Sequence, residues 1–265
     1  MDALLKELLS GLPAVMLVGA RATGKTTSAA RLAATTVHLD RRVEAGPFRD
    51  DPDTVLASLE RPALLDEWQE VPEILASVKR AVDADSRPGQ FLITGSARAE
   101  FFAGSWAATG RIVRLHQWGF CERELVGDVN APSFFDLAFG DQLHTLQLPN
   151  ETLNLRDYVE RALRGGFPAL ALQPSESLRQ RWAASYVDQL LLRDAAISTE
   201  ARDPVRLRRY LTAVAANTAG VVDHRRFMTA LASAGKQPWL TTAFSSCCSR
   251  PSESRHFIAI RCFGW

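Results

Sequence analysis

Gly19-Ala20-Arg21-Ala22-Thr23-Gly24-Lys25-Thr26 satisfies G-x-x-x-x-G-K-[ST] at every position. The apolar run Ala14-Val15-Met16-Leu17-Val18 before it has the character of a buried strand, and Thr27-Ser28-Ala29-Ala30-Arg31-Leu32-Ala33 after it is built of helix formers. Strand, glycine loop and helix in that order make a phosphate cradle. Gly19 and Gly24 permit backbone angles and close approaches that a Cβ would block, so successive N–H groups turn inward as an anion nest. The helix N-terminus adds its partial positive charge. In this reading Gly19, Ala20, Arg21, Ala22, Thr23, Gly24, Lys25, Thr26 and Thr27 form the nucleotide-binding run. Lys25 reaches the β- and γ-phosphates, and the Thr26 hydroxyl is a ligand of the Mg²⁺ that bridges them.

The chain has 265 residues, enough for one large domain or two smaller ones, with an ordinary globular composition of 46% hydrophobic and 23% charged residues. A formal net charge of +1 excludes general electrostatic attraction to nucleic acid or anionic membrane, so such binding requires a local basic patch. Lysine occurs only at Lys6, Lys25, Lys79 and Lys236, which makes a lysine at the loop position more telling. There is no secretory leader pattern and no apolar run of about 18 residues. The expectation is a cytoplasmic protein with no membrane partner. Cys121 stands alone and Cys247, Cys248 and Cys262 lack zinc spacing, so neither a disulfide framework nor a metal site is indicated.

Outward from the loop, Asp2 to Ser10 reads as an amphipathic helix. Further strands are expected at Thr36 to Asp40, Ala63 to Glu67, Gln90 to Thr94 and Arg111 to Leu115, with helices at Asp53 to Glu60 and from Val71-Pro72-Glu73 to about Ala84. This alternation implies an α/β fold, a parallel P-loop NTPase sheet flanked by helices. Helices are expected at Asn154 to Arg164, Ser177 to Arg193, Pro204 to Asn217 and Asp223 to Ala234. The expected division is a P-loop ATPase domain over residues 1–127, a linker over 128–152, a smaller helical domain over 153–236 and an atypical tail over 237–265.

Asp66-Glu67 ends an apolar strand, and in open parallel sheets ligands lie at the carboxyl ends of strands. Asp66 would hold Mg²⁺ and Glu67 would polarise the attacking water; a solvated strand end is the plainer alternative. Thr94-Gly95-Ser96 ends the next strand, where a hydroxyl, assigned here to Ser96, would sit beside the γ-phosphate. Arg111 after Gly110 would supply transition-state charge in cis or across a subunit interface, a role worth about 10³ to 10⁵ in rate. Trp118, Phe120 and Trp182 read as apolar anchors of the core.

With the loop, Leu64-Leu65-Asp66-Glu67, Ile93-Thr94-Gly95-Ser96 and Gly110-Arg111 in this order, the chain resembles prokaryotic AAA-type P-loop ATPases carrying a C-terminal domain of unknown function. Trp118-Gly119-Phe120-Cys121-Glu122, Gly165-Gly166-Phe167-Pro168 and Leu192-Arg193-Asp194 extend the resemblance to about Ala234. It implies ATP as substrate, with Mg²⁺, and hydrolysis. Leu207 to Ala234 resembles the start of a winged helix-turn-helix, after which a recognition helix is expected. The sequence Trp239 to Ser249 lacks helical periodicity instead. Shifted by one base under GC-rich codon choices, Thr241 to Ser249 reads as an amphipathic helix, so the expectation is a change of reading frame near Lys236.

The leading functional reading is a Mg²⁺-dependent ATPase whose nucleotide state repositions the helical domain, with a protein or DNA client and a homo-oligomer as further partners. The alternative is a nucleotide-gated DNA-binding or partner-recruiting module using Arg206, Arg208, Arg209, Arg225 and Arg226. A small-molecule kinase is a third reading, which the paired carboxylates fit less well.

Overall fold

A computed structural model of the chain describes residues 1–96, 110–127, 132–146, 153–197 and 204–216. The expected helix from Asp223 and the tail from residue 237 lie outside the described residues. Five parallel strands form one sheet in the order β2-β3-β4-β1-β5, with β1 Ala14–Gly19, β2 Thr35–His38, β3 Ala63–Asp66, β4 Phe91–Ser96 and β5 Val113–His116. Every strand expected from sequence is present.

The period of two along β1 builds the core on both faces of the sheet. Met16 and Val18 pack with Leu65, Ile93, Phe48, Ile74 and Val78 on one face. Val15 and Leu17 pack with Leu64, Leu92, Leu5 and Leu9 on the other. Helix α1, Asp2–Gly11, buries Leu5 and Leu9, which stand one turn apart on its inward stripe. Helix α2, Lys25–Ala30, continues from the loop. On the opposite face lie α3 Arg42–Asp50, α4 Pro52–Ser58 and α5 Ile74–Ala84, which contribute Ala45, Phe48, Leu56, Ile74 and Val78. Asp51 caps α4 by accepting from the Thr54 N–H at 3.2 Å, with Pro52 in the first turn where its missing N–H costs nothing.

Residues 128–152, expected as a linker, contain a short helix. After α6, Glu122–Val126, comes α7, Phe134–Phe139, which Ser133 and Asp136 close with a reciprocal capping box. The chain divides into two compact units, residues 1–144 with 166–168, and residues 145–165 with those from 169 onward. The second unit is helical, with α8 Leu155–Arg164, the one-turn α9 Pro168–Ala171 apart from its first residue, α10 Glu176–Ile197 and α11 Pro204–Ala216 in chain order. Asn154 caps α8 by accepting from the N–H groups of Arg156 and Asp157. An Arg208–Asp188 ion pair ties α11 to α10. Trp118 and Phe120 are 36% and 37% exposed, so neither is the core anchor that its apolar character suggested. No helix among the described residues is long and apolar enough to cross a membrane.

Candidate functional site

Strand order decides what meets at the carboxyl edge of the sheet. Because β4 lies between β1 and β3, its end falls between the loop that follows β1 and the carboxylates that end β3. Gly24 has φ 90°, ψ 16°, the left-handed conformation a loop needs to enter a helix here, and Ala22 shares a positive φ of 62°. The Thr23 hydroxyl donates to the Ala20 carbonyl at 2.9 Å and closes the turn across its own base.

Lys25 is buried and donates to the carbonyls of Gly19 at 3.1 Å and Ala20 at 2.6 Å. Burial pulls its ammonium down from the ordinary lysine value to about 8. The Glu67 carboxylate opposes that fall, nearby Arg21 adds to it, and Asp66 opposes it more weakly. Lys25 is thus a desolvated cation beside two carboxylates, held by the loop carbonyls of Gly19 and Ala20, an arrangement suited to polyphosphate.

Asp66 is 6% exposed and is the hub of the site. Its Oδ1 accepts from the Thr26 hydroxyl at 2.8 Å and from the Thr94 hydroxyl, while Oδ2 meets His38 Nδ1 at 3.1 Å. The His38 backbone N–H donates to Glu44 at 2.7 Å, which fixes the end of β2 beside this carboxylate. Glu67 follows in the left-handed region, φ 54° and ψ 49°, and opens a 3-10 turn, Trp68–Glu70. Its Oε2 accepts from the Gln69 side-chain amide.

The structure therefore brings Gly19 to Thr26 together with Asp66 and Glu67. Thr27 is exposed on α2. Ser96 pairs with Gly19 in the sheet, and its side chain lies outside the described residues; the hydroxyl seen on Asp66 belongs to Thr94, two residues earlier. Arg111 is not brought to the loop. It precedes β5, whose Val113 pairs with Val15 near the start of β1, and its guanidinium bonds Asp83 at 2.7 Å. It stands at the amino edge of the sheet, across its length from the phosphate loop. Of the arginines expected to form a basic patch, Arg208 is paired with Asp188, and Arg225 and Arg226 lie outside the described residues. Arg206 is on α11, and its side chain also lies outside the described residues; Arg209 is exposed.

Sequence reasoning missed His38, Gln69 and Gln117. None has a spacing signature; the strand order brings His38 and Gln117 to what they touch, while Gln69 reaches Glu67 across the turn that follows β3. Gln117, directly after β5, donates from Nε2 to the Thr23 carbonyl at 2.9 Å.

The sheet order, the loop and the carboxylates define a P-loop NTPase fold of the AAA type. The AAA domain family matches residues 12–126, and a domain of unknown function (DUF8612) matches residues 155–237. The chain thus carries an AAA domain over residues 12–126, followed by a C-terminal domain of unknown function. Among solved structures it is similar to the Walker-type ATPase PABY2304 of Pyrococcus abyssi, with 16% identity, a TM-score of 0.53 and 99% of this chain and 93% of that one covered. The AMPPCP-bound DnaA from Aquifex aeolicus aligns at 12% identity and a TM-score of 0.34 over 99% of this chain and 92% of that one, too slight a likeness to bear on function. No curated protein matches the chain.

Proposed function

We propose that the chain binds ATP at the loop Gly19 to Thr27 and hydrolyses it with Asp66 and Glu67, coupling nucleotide state to the helical unit. The observation that carries this reading is the meeting of Thr26 and Asp66 at 2.8 Å beneath a buried Lys25, three functional groups of the expected types from two separate strand ends. A hydroxyl and a buried carboxylate are hard oxygen donors, the set that suits Mg²⁺ completed by phosphate oxygens and water. Thr26 and Asp66 would hold that ion, which when bound neutralises charge on the β- and γ-phosphates.

The chain's own groups supply the rest. Loop N–H groups and Lys25 orient the triphosphate and receive its charge. Glu67 accepts a proton from water as the water oxygen bonds to the γ-phosphorus and the bond to the β–γ bridging oxygen breaks. ADP and phosphate result. Thr94 and His38 keep the Asp66 carboxylate in one orientation, and Gln69 does the same for Glu67. Departure of the γ-phosphate would relax the loop, and with it the segment leading into the helical unit.

Equilibrium binding of a fluorescent ATP analogue with Mg²⁺ tests the reading. Binding should be lost in Lys25→Ala and kept in Glu67→Gln. A folded wild-type chain that binds no nucleotide overturns it.

A further inference from the structure

Gln117 is 5% exposed and ties three parts of the site together. Its backbone N–H donates to the Val18 carbonyl at 2.8 Å, extending the β5 pairing past the strand. Its Nε2 donates to the Thr23 carbonyl at 2.9 Å and lies 3.4 Å from the Ser28 hydroxyl on α2. The fit is close, since a Cβ on Gly19 would stand 2.2 Å from the Gln117 carbonyl oxygen. Gly19 is required by Gln117 as well as by phosphate.

A second segment, from far along the chain, stands beside the same turn. A Cβ on Gly24 would lie 3.5 Å from Gln117 Nε2 and 4.0 Å from Pro168 Cγ. Pro168 is held near the loop through backbone contacts. The Phe120 N–H donates to the Gly166 carbonyl at 2.6 Å, and a Cβ on Gly119 would stand 2.5 Å from that same oxygen. Phe167 between them is buried. Residues 166–168 group with the sheet, although the residues on both sides of them belong to the helical unit.

Peptide geometry gives this brace its effect. The Thr23 carbonyl and the Gly24 N–H share one planar trans peptide, so anchoring the carbonyl on Gln117 aims the N–H in the opposite direction. Gln117 Oε1 is buried without a hydrogen-bond partner. An apolar side chain of the same shape would avoid that loss, so the amide is accounted for by what its donor holds and not by packing.

We infer that Gln117 and the Gly166–Pro168 segment brace the phosphate loop from behind, pre-aim its N–H groups and set its affinity for the nucleotide's phosphates. As to phosphates, this rests on the ATP-binding reading above. Gln117 is a positioning residue here, acting through Thr23 and Gly24.

The test compares wild type, Gln117→Met and Pro168→Gly in the full chain. Hydrogen exchange of residues 19–26 is measured without nucleotide, and Mg-ATP affinity is measured alongside. Methionine keeps the unbranched shape of Gln117 and removes its amide, both the Nε2 donor and the unpartnered Oε1. Both variants should accelerate exchange over 19–26 and weaken Mg-ATP about five-fold, with a melting temperature close to wild type. Wild-type exchange in both variants overturns the brace. A wild-type chain that binds no Mg-ATP overturns the ATP-binding reading instead, and the exchange comparison still decides the brace.

Discussion

The Thr26 hydroxyl donates to Asp66 Oδ1 at 2.8 Å, although the two residues are 40 positions apart in the chain. Thr94 donates to the same oxygen and His38 meets the other, so the first turn of α2 and strands β4 and β2 converge on the buried carboxylate that ends β3. A charge in that position is held by fixed donors. Asp66→Asn keeps the shape, removes the charge and leaves one face of the network mispaired. The expected outcome is a folded chain whose Mg-ATP affinity falls about ten- to a hundred-fold, the size of a lost charge-assisted contact, while its binding with EDTA present changes little. Titration calorimetry with and without EDTA measures both.

Glu67 and Gln69 separate binding from hydrolysis. Glu67→Gln removes the proton acceptor and leaves the loop untouched, so turnover should drop about 10² to 10⁴-fold with nucleotide affinity near wild type. Gln69→Leu removes only the amide that holds the Glu67 carboxylate. Turnover should fall by a smaller factor, with the loss in kcat and not in KM. A Gln69→Leu enzyme with wild-type kcat would show that the amide does not position the base.

The lowered value of Lys25 predicts opposite pH trends for binding and for stability. In the nucleotide-free fold burial holds the ammonium down at about 8, against the ordinary lysine value of 10.5. Between those values the unfolded chain carries more protons than the folded one, so folding stability from this group rises with pH across that window. Phosphate binding needs the charged form. Affinity for ATP is therefore full below about 8 and falls as pH rises through it, by at most about ten-fold per pH unit. Parallel denaturant melts and binding isotherms from pH 7 to about 10 check both signs, and Lys25→Met should flatten both curves.

Much of the nucleotide-binding half is legible because its signals are periodic or spaced. Ala14 to Val18, Ala63 to Leu65 and Phe91 to Ile93 are apolar runs of strand length, and each is fully buried. Helix α3 escapes such a reading because Gly46-Pro47 looks like loop punctuation. In a helix of nine residues, Pro47 removes only the bond to the Val43 carbonyl, and burial of Ala45 and Phe48 outweighs it. The polar support of the site is less legible. Thr94 and Ser96 share strand parity, so sequence alone cannot say which is level with Asp66; the register of β4 on β3 and β1 decides it. His38 and Gln117 act through neighbours that only the strand order β2-β3-β4-β1-β5 brings close, and Gln69 acts on Glu67 through a turn that no spacing in the sequence marks.

Arg111 provides the sharpest contrast between motif and position. As a transition-state cation in the same chain it would have to reach the phosphate loop, yet it precedes β5 at the amino edge of the sheet and bonds Asp83, which Lys79 also approaches at 3.4 Å. Both partners of the Arg111 pair are about two-fifths exposed, at 43% and 40%, so solvent screens the pair and its loss should alter stability little. Arg111→Ala should leave Mg-ATP affinity unchanged. Turnover per mole should also stay at the wild-type value when the protein is diluted until it sediments as single chains. A role across a subunit interface has a different signature, a loss of turnover in the variant that grows with protein concentration as copies associate. Hydrolysis rates over a dilution series, paired with analytical ultracentrifugation, separate the two. A variant already impaired at the lowest concentration would mean that Arg111 reaches the phosphates within its own chain, against the geometry of β1 and β5.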